Sequence, residues 1–350
     1  MNLGELWWNR LVNSVRFLDD VKEALIDGKS VVLNFSDKIP WTDDLISGLE
    51  QKLSVLTDVR SFTVNDVSSD NTPPAKYLFE HYFNETERQK YWPNRSYEQF
   101  MAENDNTPLN RRILCIKGIS YMKAAAWLKT VTEYLEHRNS DERCIFILLV
   151  QQMPTNSSKL ITSLKYSDYV SDYDCFMLCL TLLSSENCTS AEKIYVSEIA
   201  GNIAANNVEK AGILAKAGIA LAEDTLSAAG DILAENGIIL TNLNEIVEKA
   251  VWEAQIRLVF PRLEDFRREM VQKYNKQIQK HLPVTSSSGE RVNKASEVEI
   301  GPLCAMCIKE KFMMKADLDR LIRMRDARNS LAHRDTLTYK QLRELEIFGR

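Results

Sequence analysis

The chain has 350 residues, which exceeds the size at which a single hydrophobic core usually stops growing, so we expect more than one domain. Hydrophobic residues make up 45% and charged residues 27% of it, which excludes a disordered or fibrous chain. The net charge of −5 is uneven, because residues 245–350 carry 21 basic and 16 acidic side chains while residues 1–244 carry 23 and 33.

The first half of the chain alternates between helical and strand patterns. Leu11–Ile26 has apolar residues at three-and-four spacing and predicts a helix, and the β-branched run Ser30–Phe35 predicts a buried strand. Further strands are predicted at Ser61–Val67, Arg112–Ile116, Cys144–Val150 and Cys175–Leu182, and further helices at Thr42–Leu56, Met122–His137 and Leu160–Tyr166. This alternation predicts an α/β fold, a parallel sheet with helices on both faces. The proline-rich and aromatic stretch 72–110 predicts an insertion over that sheet.

From Ser190 onward the strand signal ends and the patterns are helical. Residues 190–233 are rich in alanine, as expected of small helices packed closely together. Leu243–His281 predicts a long helix, or two helices with a kink at Pro261. We therefore predict three parts: an α/β domain at 1–186, a small helical region at 187–242 for which a winged helix is one alternative, and an all-α bundle at 243–350.

The segment that follows the first predicted strand lacks a phosphate-binding loop. In phosphate-loop NTPases this place carries G-x-x-x-x-G-K-[ST], whose backbone N–H groups and lysine bind phosphates. Residues 36–44 contain no glycine, and Asp37, Asp43 and Asp44 would repel a pyrophosphate. The segment therefore predicts no nucleotide cofactor.

The order of elements over residues 10–185 nevertheless resembles AAA+ and STAND-type NTPases without the Walker A loop. Ile113–Ile116 stands where that fold has its metal-binding acidic strand, and Phe146–Gln152 stands where it has a sensor strand. Lys117-Gly118 replaces the acidic pair, so no magnesium site is predicted. The resemblance implies a degenerate, non-hydrolysing domain used as a scaffold, and an unrelated doubly wound fold is the alternative.

A helix is predicted from Ala316 to Arg334, and it contains the one motif that carries chemistry, R-N-S-L-A-H at residues 328–333. On a helix, Asn329 and His333 share a face and Arg328 stands at its edge. A histidine can take the proton of a ribose 2′-OH while an arginine stabilises the charge on the phosphate. The motif predicts metal-independent RNA cleavage, with His333 as acid and base, Arg328 on the phosphate and Asn329 orienting the histidine or the RNA.

The motif resembles that of the HEPN superfamily of all-helical domains. Its ribonuclease members carry an arginine, four to six residues and then a histidine, often with asparagine after the arginine, and Arg328, Asn329 and His333 match this pattern. The resemblance implies a homodimer through residues near 316–350 that joins two motifs in one cleft. Together with the NTPase-like domain it implies an effector of a bacterial antiphage or toxin system, with other proteins of that system as partners.

The alternative is a non-enzymatic scaffold or regulatory subunit of a multiprotein assembly. Arg328 and Asn329 would then bond to carbonyl groups of a neighbouring helix, and the basic last third would contact the acidic remainder of the chain rather than RNA. Cys304 and Cys307 have the spacing of half a zinc site, but the chain has no second pair, so we expect buried thiols and no metal.

Nothing in the sequence indicates a membrane protein. The amino-terminal residues lack the basic region and apolar core of a secretory signal, and no apolar run reaches about 18 residues. The cysteines number seven, and several lie in apolar runs where a thiol behaves as a small hydrophobe. We therefore expect a cytoplasmic protein in a reducing compartment.

Overall fold

The computed structural model describes residues 2–54, 59–153, 157–205, 207–286 and 289–349. The chain divides into two compact units, Met1–Asp174 and Cys175–Arg350. Within the described ranges no helix is long and apolar enough to cross a bilayer. The finer, three-part division with boundaries after residues 186 and 242 stays a prediction.

A five-stranded sheet forms the centre of the first unit. Its strands are β1 (Ser30–Phe35), β2 (Ser61–Asp66), β3 (Arg112–Lys117), β4 (Ile145–Gln151) and β5 (Ile161–Lys165). They lie in the order β2-β3-β4-β1-β5, and every neighbouring pair is parallel. Strands β1, β3 and β4 are buried almost throughout, as their continuous apolar sequences require of the middle of a parallel sheet. The predicted α/β class is confirmed.

Helices cover both faces of this sheet. They are α1 (Leu3–Arg10), α2 (Val12–Ile26), α3 (Thr42–Lys52), α4 (Pro74–Tyr82), α5 (Glu85–Arg88), α6 (Tyr97–Glu103) and α7 (Tyr121–His137). Because successive strand residues point to opposite faces, the sheet has two cores. Val32 and Phe146 pack on one face with Trp127 of α7, while Phe35 on the other face meets Phe17 of α2 at a ring distance of 6.0 Å.

The insertion predicted at residues 72–110 lies over the sheet. Phe79 of α4 and Phe100 of α6 are buried, with ring centroids 5.7 Å apart, and both belong to the core cluster that contains Val32. The aromatic residues that made this stretch hard to assign from sequence are therefore core residues of one sheet face.

Two predictions about the region after β4 are wrong. Leu160–Tyr166, predicted as a helix, contains β5, which pairs with β1 and forms an edge of the sheet. Cys175–Leu182, predicted as a strand, lies in helix α8 (Asp172–Leu182). Short apolar runs fit either structure, and here pairing with β1 decided the first case while burial at helical spacing, at Cys175, Leu178 and Cys179, decided the second.

The second unit is helical apart from a hairpin of two short strands, β6 (Val284–Thr285) and β7 (Arg291–Val292). After α8 its helices are α9 (Ser190–Ala204), α10 (Val208–Ala215), α11 (Ala220–Glu223), α12 (Thr225–Glu235), α13 (Leu243–Lys273), α14 (Asn275–Lys280), α15 (Ile300–Glu310), α16 (Lys315–Ala332) and α17 (Tyr339–Glu344). The 31-residue α13 contains Pro261. The predicted all-α region after the α/β domain is confirmed.

Candidate functional site

The place where a phosphate-loop protein holds its nucleotide is the amino end of α3, which follows β1 at the carboxyl edge of the sheet. Two carboxylates of the chain, Asp43 and Asp44, lie in the first turn of α3. Lys117 Nζ donates to Asp43 Oδ1 at 2.9 Å, and Asn2 Nδ2 donates to Asp44 Oδ1 at 2.6 Å. The positive end of the helix dipole is therefore complemented by the chain's own negative charges.

Helix α1 packs directly against this end of α3. A Cβ atom added to Gly4 would lie 2.2 Å from Asp44 Oδ2 and 2.6 Å from Trp41 Cβ, so only glycine fits there without a shift. Trp8 Nε1 also donates to the Pro40 carbonyl oxygen at 3.0 Å. Helix α1 was not predicted from the sequence, although the adjacent Trp7 and Trp8, both fully buried in the structure, and the capping residue Asn2 were signals for it.

Lys117 stands at the end of β3, the position for which the sequence predicted no magnesium site. Its ammonium lies 2.9 Å from Asp43 and 3.8 Å from Asp66, and the hydrogen bond to Asp43 raises the pKa of Lys117. The pKa of Asp66 is lowered, chiefly by hydrogen bonds from Ser68. The Lys117 ammonium thus occupies the position that a bound metal ion would take. Across the described ranges, no group of three or more His, Cys, Asp or Glu side chains is placed so that it could bind a metal ion.

The R-N-S-L-A-H motif lies at the carboxyl end of α16. The side chains of Arg328, Asn329 and His333 are all exposed. His333 is the C-cap residue, and its backbone N–H donates to the carbonyl oxygens of Asn329 at 3.1 Å and Ser330 at 3.0 Å. Arg328 Nη1 lies 3.4 Å from Asn329 Oδ1. Where the structure describes the chain, none of the three side chains forms an ion pair, and all three are exposed to solvent.

Residues of α13 hold this end of α16 in place. Trp252 Nε1 donates to the Leu331 carbonyl oxygen at 2.8 Å, and the Arg334 guanidinium lies 5.3 Å above the Trp252 ring. Gln255, which is fully buried, bonds to both backbone groups of Leu337. Gln255 was not predictable as a core residue, because a polar residue within a helical pattern carries no signal of burial.

A cleft of about 350 Å³ lies beside the motif. We name it the Arg328 cleft; its lining is Phe260, Leu263, Glu264, Arg267, Glu299, Ile300, Gly301, Pro302, Arg328 and Asn329. Two of the three predicted site residues therefore meet at one cavity. His333, the C-cap residue beyond the last turn of α16, is not part of the lining.

The charged groups of the Arg328 cleft are partly paired with one another. Arg267 donates to both carboxylate oxygens of Glu264, at 2.8 and 2.6 Å, and Arg268 donates to Glu264 Oε1 at 3.0 Å. The bond from Arg267 is the largest of the effects that lower the pKa of Glu264 to about 2. Arg267 also donates to the carbonyl oxygens of Ser296 and Val298, so these bonds hold its guanidinium group in one position.

Cys304 and Cys307 of α15 are both buried. Burial raises the pKa of the Cys307 thiol to about 12, which opposes the thiolate form that a metal ligand requires. Arg325 Nη1 lies 3.3 Å from Cys304 Sγ. Because both side chains are buried, Cys304 and Cys307 have the environment of core residues.

Comparison with known proteins adds little to this geometry. No family model matches the sequence, and no curated protein matches it. Among solved structures, the DNA clamp loader delta protein of Bacillus subtilis overlaps 95% of this chain and 100% of its own at 12% identity, with a TM-score of 0.28. A TM-score this low supports neither a fold nor a function. The class of the first unit follows instead from its own sheet: it is an α/β domain with a five-stranded parallel sheet, and the segment between β1 and α3 has no Walker A loop.

Proposed function

We propose that the second unit is a metal-independent ribonuclease module of the HEPN type and that the first unit is a scaffold that does not hydrolyse nucleotides. The observation that carries the proposal is the exposure of Arg328, Asn329 and His333 together at one helix end, without ion pairs among the described residues. A surface arginine that no carboxylate neutralises can bind a phosphate, and an exposed histidine can exchange a proton.

The reaction that we assign to these residues needs no metal ion. His333 takes the proton of a ribose 2′-OH, the 2′ oxygen forms a bond to phosphorus, and the bond from phosphorus to the 5′ oxygen breaks. A proton returns to the 5′ oxygen as it leaves, and the products are a 2′,3′-cyclic phosphate and a 5′-hydroxyl. Arg328 stabilises the negative charge that develops on the phosphate, and the Asn329 amide orients the histidine or the RNA.

The positions of Arg328 and His333 on different sides of α16 favour an RNA that crosses the end of the helix, or a site completed by a second chain. We therefore include a homodimer through residues near 316–350 in the proposal. In such a dimer two motifs would share one RNA. An effector role in a bacterial conflict system, with further proteins of that system as partners, is part of the same proposal.

Expression in a bacterial host tests the proposal. We expect the wild-type chain to arrest growth and fragment cellular RNA, and His333→Ala and Arg328→Ala to do neither at equal protein levels. Arg10→Ala is the matched control, because Arg10 is also an exposed arginine in the last turn of a helix, but that helix is α1 of the first unit, outside residues 316–350. Equal behaviour of the wild type and His333→Ala, with intact RNA in both, would remove the ribonuclease.

A second candidate, a non-enzymatic scaffold or regulatory subunit, is favoured by the first unit. Asp43 and Asp44 occupy the amino end of α3, and α1 packs against it at Gly4, so the usual nucleotide position is filled. If both units act only in binding, partner proteins should be recovered equally with the wild type and His333→Ala. RNA cleavage that depends on His333 decides between the two candidates.

A further inference from the structure

The Arg328 cleft combines an apolar floor with a charged rim. Leu263 is buried, and Phe260, Ile300 and Pro302 are half-buried around it. The volume of about 350 Å³ falls in the range of small-molecule pockets, roughly 300–1,000 Å³. A flat, uncharged ring of the size of a nucleobase matches such a space better than a phosphate does.

The charges in the cleft also favour an uncharged occupant. Glu264 is neutralised by Arg267 and Arg268, and the lining as a whole holds two carboxylates and two guanidinium groups. A phosphate would gain little electrostatic binding energy inside this cleft, because the positive and negative charges of the lining are equal in number. At the rim, however, Arg328 forms no ion pair with any described residue, so a phosphate attached to the occupant would find its cation there.

Polar atoms that could contact a base edge lie beside this apolar floor. Asn329 Oδ1 lies 3.4 Å from Arg328 Nη1, which leaves the two amide hydrogens of Asn329 as donors. The half-buried ring of Phe260 offers a face for stacking, a contact that every base can make. The cleft therefore holds the elements of a subsite for one unstacked nucleotide.

We propose that the Arg328 cleft binds a single base of single-stranded RNA, with the adjoining phosphate on Arg328, and that this restricts the substrate to unpaired RNA. The inference rests on the proposed action on RNA. It follows because the bases of an A-form duplex are stacked and paired, so none can enter a cleft of this size. Duplex RNA reaches only the exposed cations around the motif.

Gly301 allows the cleft to be filled without disturbing the protein. It lines the cleft within α15, and a Cβ added there meets no heavy atom within 4 Å. Gly301→Leu should therefore fold normally and occupy the space of the base. Gly201 is a matched control, since it is also helical and open around its Cβ but lies in α9 away from the cleft.

The test measures binding of a short fluorescent single-stranded RNA, and of the same sequence as a duplex, in a His333→Ala background that prevents cleavage. We expect Gly301→Leu to weaken single-strand binding roughly 5- to 150-fold, the range for loss of one stacked base, and Gly201→Leu to leave it unchanged. Duplex RNA should bind more weakly than the single strand and respond to neither variant. Phe260→Ala, a change that removes only the stacking ring, should weaken single-strand binding in the same direction.

Equal single-strand affinities of the Gly301→Leu and Gly201→Leu proteins, or tighter binding of the duplex, would overturn the subsite. Cleavage assays with His333 intact separate this result from the ribonuclease proposal. Loss of binding in Gly301→Leu without cleavage in any protein would support the subsite and remove the nuclease. If the wild type cleaves RNA and Gly301→Leu changes neither RNA binding nor cleavage, the ribonuclease proposal is supported and the base subsite is removed.

Discussion

Gln255 and Leu337 exchange two hydrogen bonds across 82 residues of sequence: Gln255 Nε2 donates to the Leu337 carbonyl oxygen at 2.7 Å, and the Leu337 N–H donates to Gln255 Oε1 at 2.8 Å. The same Nε2 donates to the Tyr195 hydroxyl at 2.9 Å, and Gln255 is fully buried. One side chain thus fixes the segment that follows His333 to α13 and α9.

This relationship predicts a large effect of Gln255→Ala. The change leaves both backbone groups of Leu337 buried without partners and opens a cavity, so we expect a loss of about 3 kcal/mol in the free energy of unfolding. Urea denaturation measures this loss, and hydrogen exchange of the Leu337 amide should become faster. Gln272→Ala, at an exposed position of the same helix, is the control and should change neither. An unchanged Leu337 exchange rate would contradict the role assigned to Gln255.

The lowered pKa of Glu264 predicts how the stability of the folded protein changes with pH. Hydrogen bonds from Arg267 and Arg268 lower its pKa from 4.5 to about 2. A carboxylate with a lowered pKa stabilises the folded state above its unfolded pKa and loses that contribution as the pH falls through the folded pKa. The contribution of Glu264 is therefore complete above pH 4.5 and disappears between pH 4.5 and about 2.

We expect Glu264→Gln to reduce the stability of the protein near neutral pH but not near pH 2. Because the Glu264 side chain is 45% exposed, screening by solvent limits the difference to about 1 kcal/mol. Denaturation at a series of pH values gives the result. Glu235→Gln, at an exposed position of α12, is the control. A difference from wild type that grows as the solution is acidified would contradict this account of Glu264.

Gly4 and Gly201 predict opposite effects of the same substitution. At Gly4 a methyl group would collide with Trp41 Cβ and with Asp44, so Gly4→Ala should destabilise the first unit by about 1–3 kcal/mol. At Gly201 the space is open, and Gly201→Ala within α9 should stabilise the second unit by roughly 0.5–1 kcal/mol. Thermal unfolding of the two variants beside wild type is the measurement. A tolerated Gly4→Ala would show that α1 does not pack tightly on α3.

Because two carboxylates and helix α1 occupy the amino end of α3, we predict that nucleoside triphosphates do not bind there. Mg-ATP should leave the thermal unfolding midpoint of the protein unchanged, since a ligand raises it only if it binds the folded state. Two carboxylates and the packing of α1 at Gly4 are the physical reasons. A rise in Tm that increases with Mg-ATP concentration and is lost in Lys117→Ala would show that this edge of the sheet does bind a nucleotide.

Much of the α/β domain was predictable from the sequence because its strands are buried on both faces. Ser30–Phe35 contains the apolar run Val31–Leu33 followed by Phe35, and the strand predicted there has the observed bounds. At Leu160–Tyr166 the prediction was wrong because β5 is an edge strand whose pattern I-T-S-L-K is mixed. Its structure depends on pairing with β1, a long-range contact that local periodicity does not contain.

The candidate site was predictable only in part. The motif at 328–333 is local in sequence, and the helix predicted there from Ala316 to Arg334 is observed as Lys315–Ala332. The Arg328 cleft is not local, because it brings Phe260 of α13 and Gly301 of α15 next to Arg328 of α16. Only the packing of three helices creates it. The same is true of Gln255, whose partners lie 60 and 82 residues away.

The central claim is that His333 and Arg328 cut RNA without a metal. Its most direct test is incubation of the purified protein with single-stranded RNA in excess EDTA, followed by analysis of the fragment ends. We predict fragments that end in a 2′,3′-cyclic phosphate and a 5′-hydroxyl, formed by the wild type and Arg10→Ala but not by His333→Ala or Arg328→Ala. Intact RNA in every reaction, or cleavage that persists in His333→Ala, would contradict it.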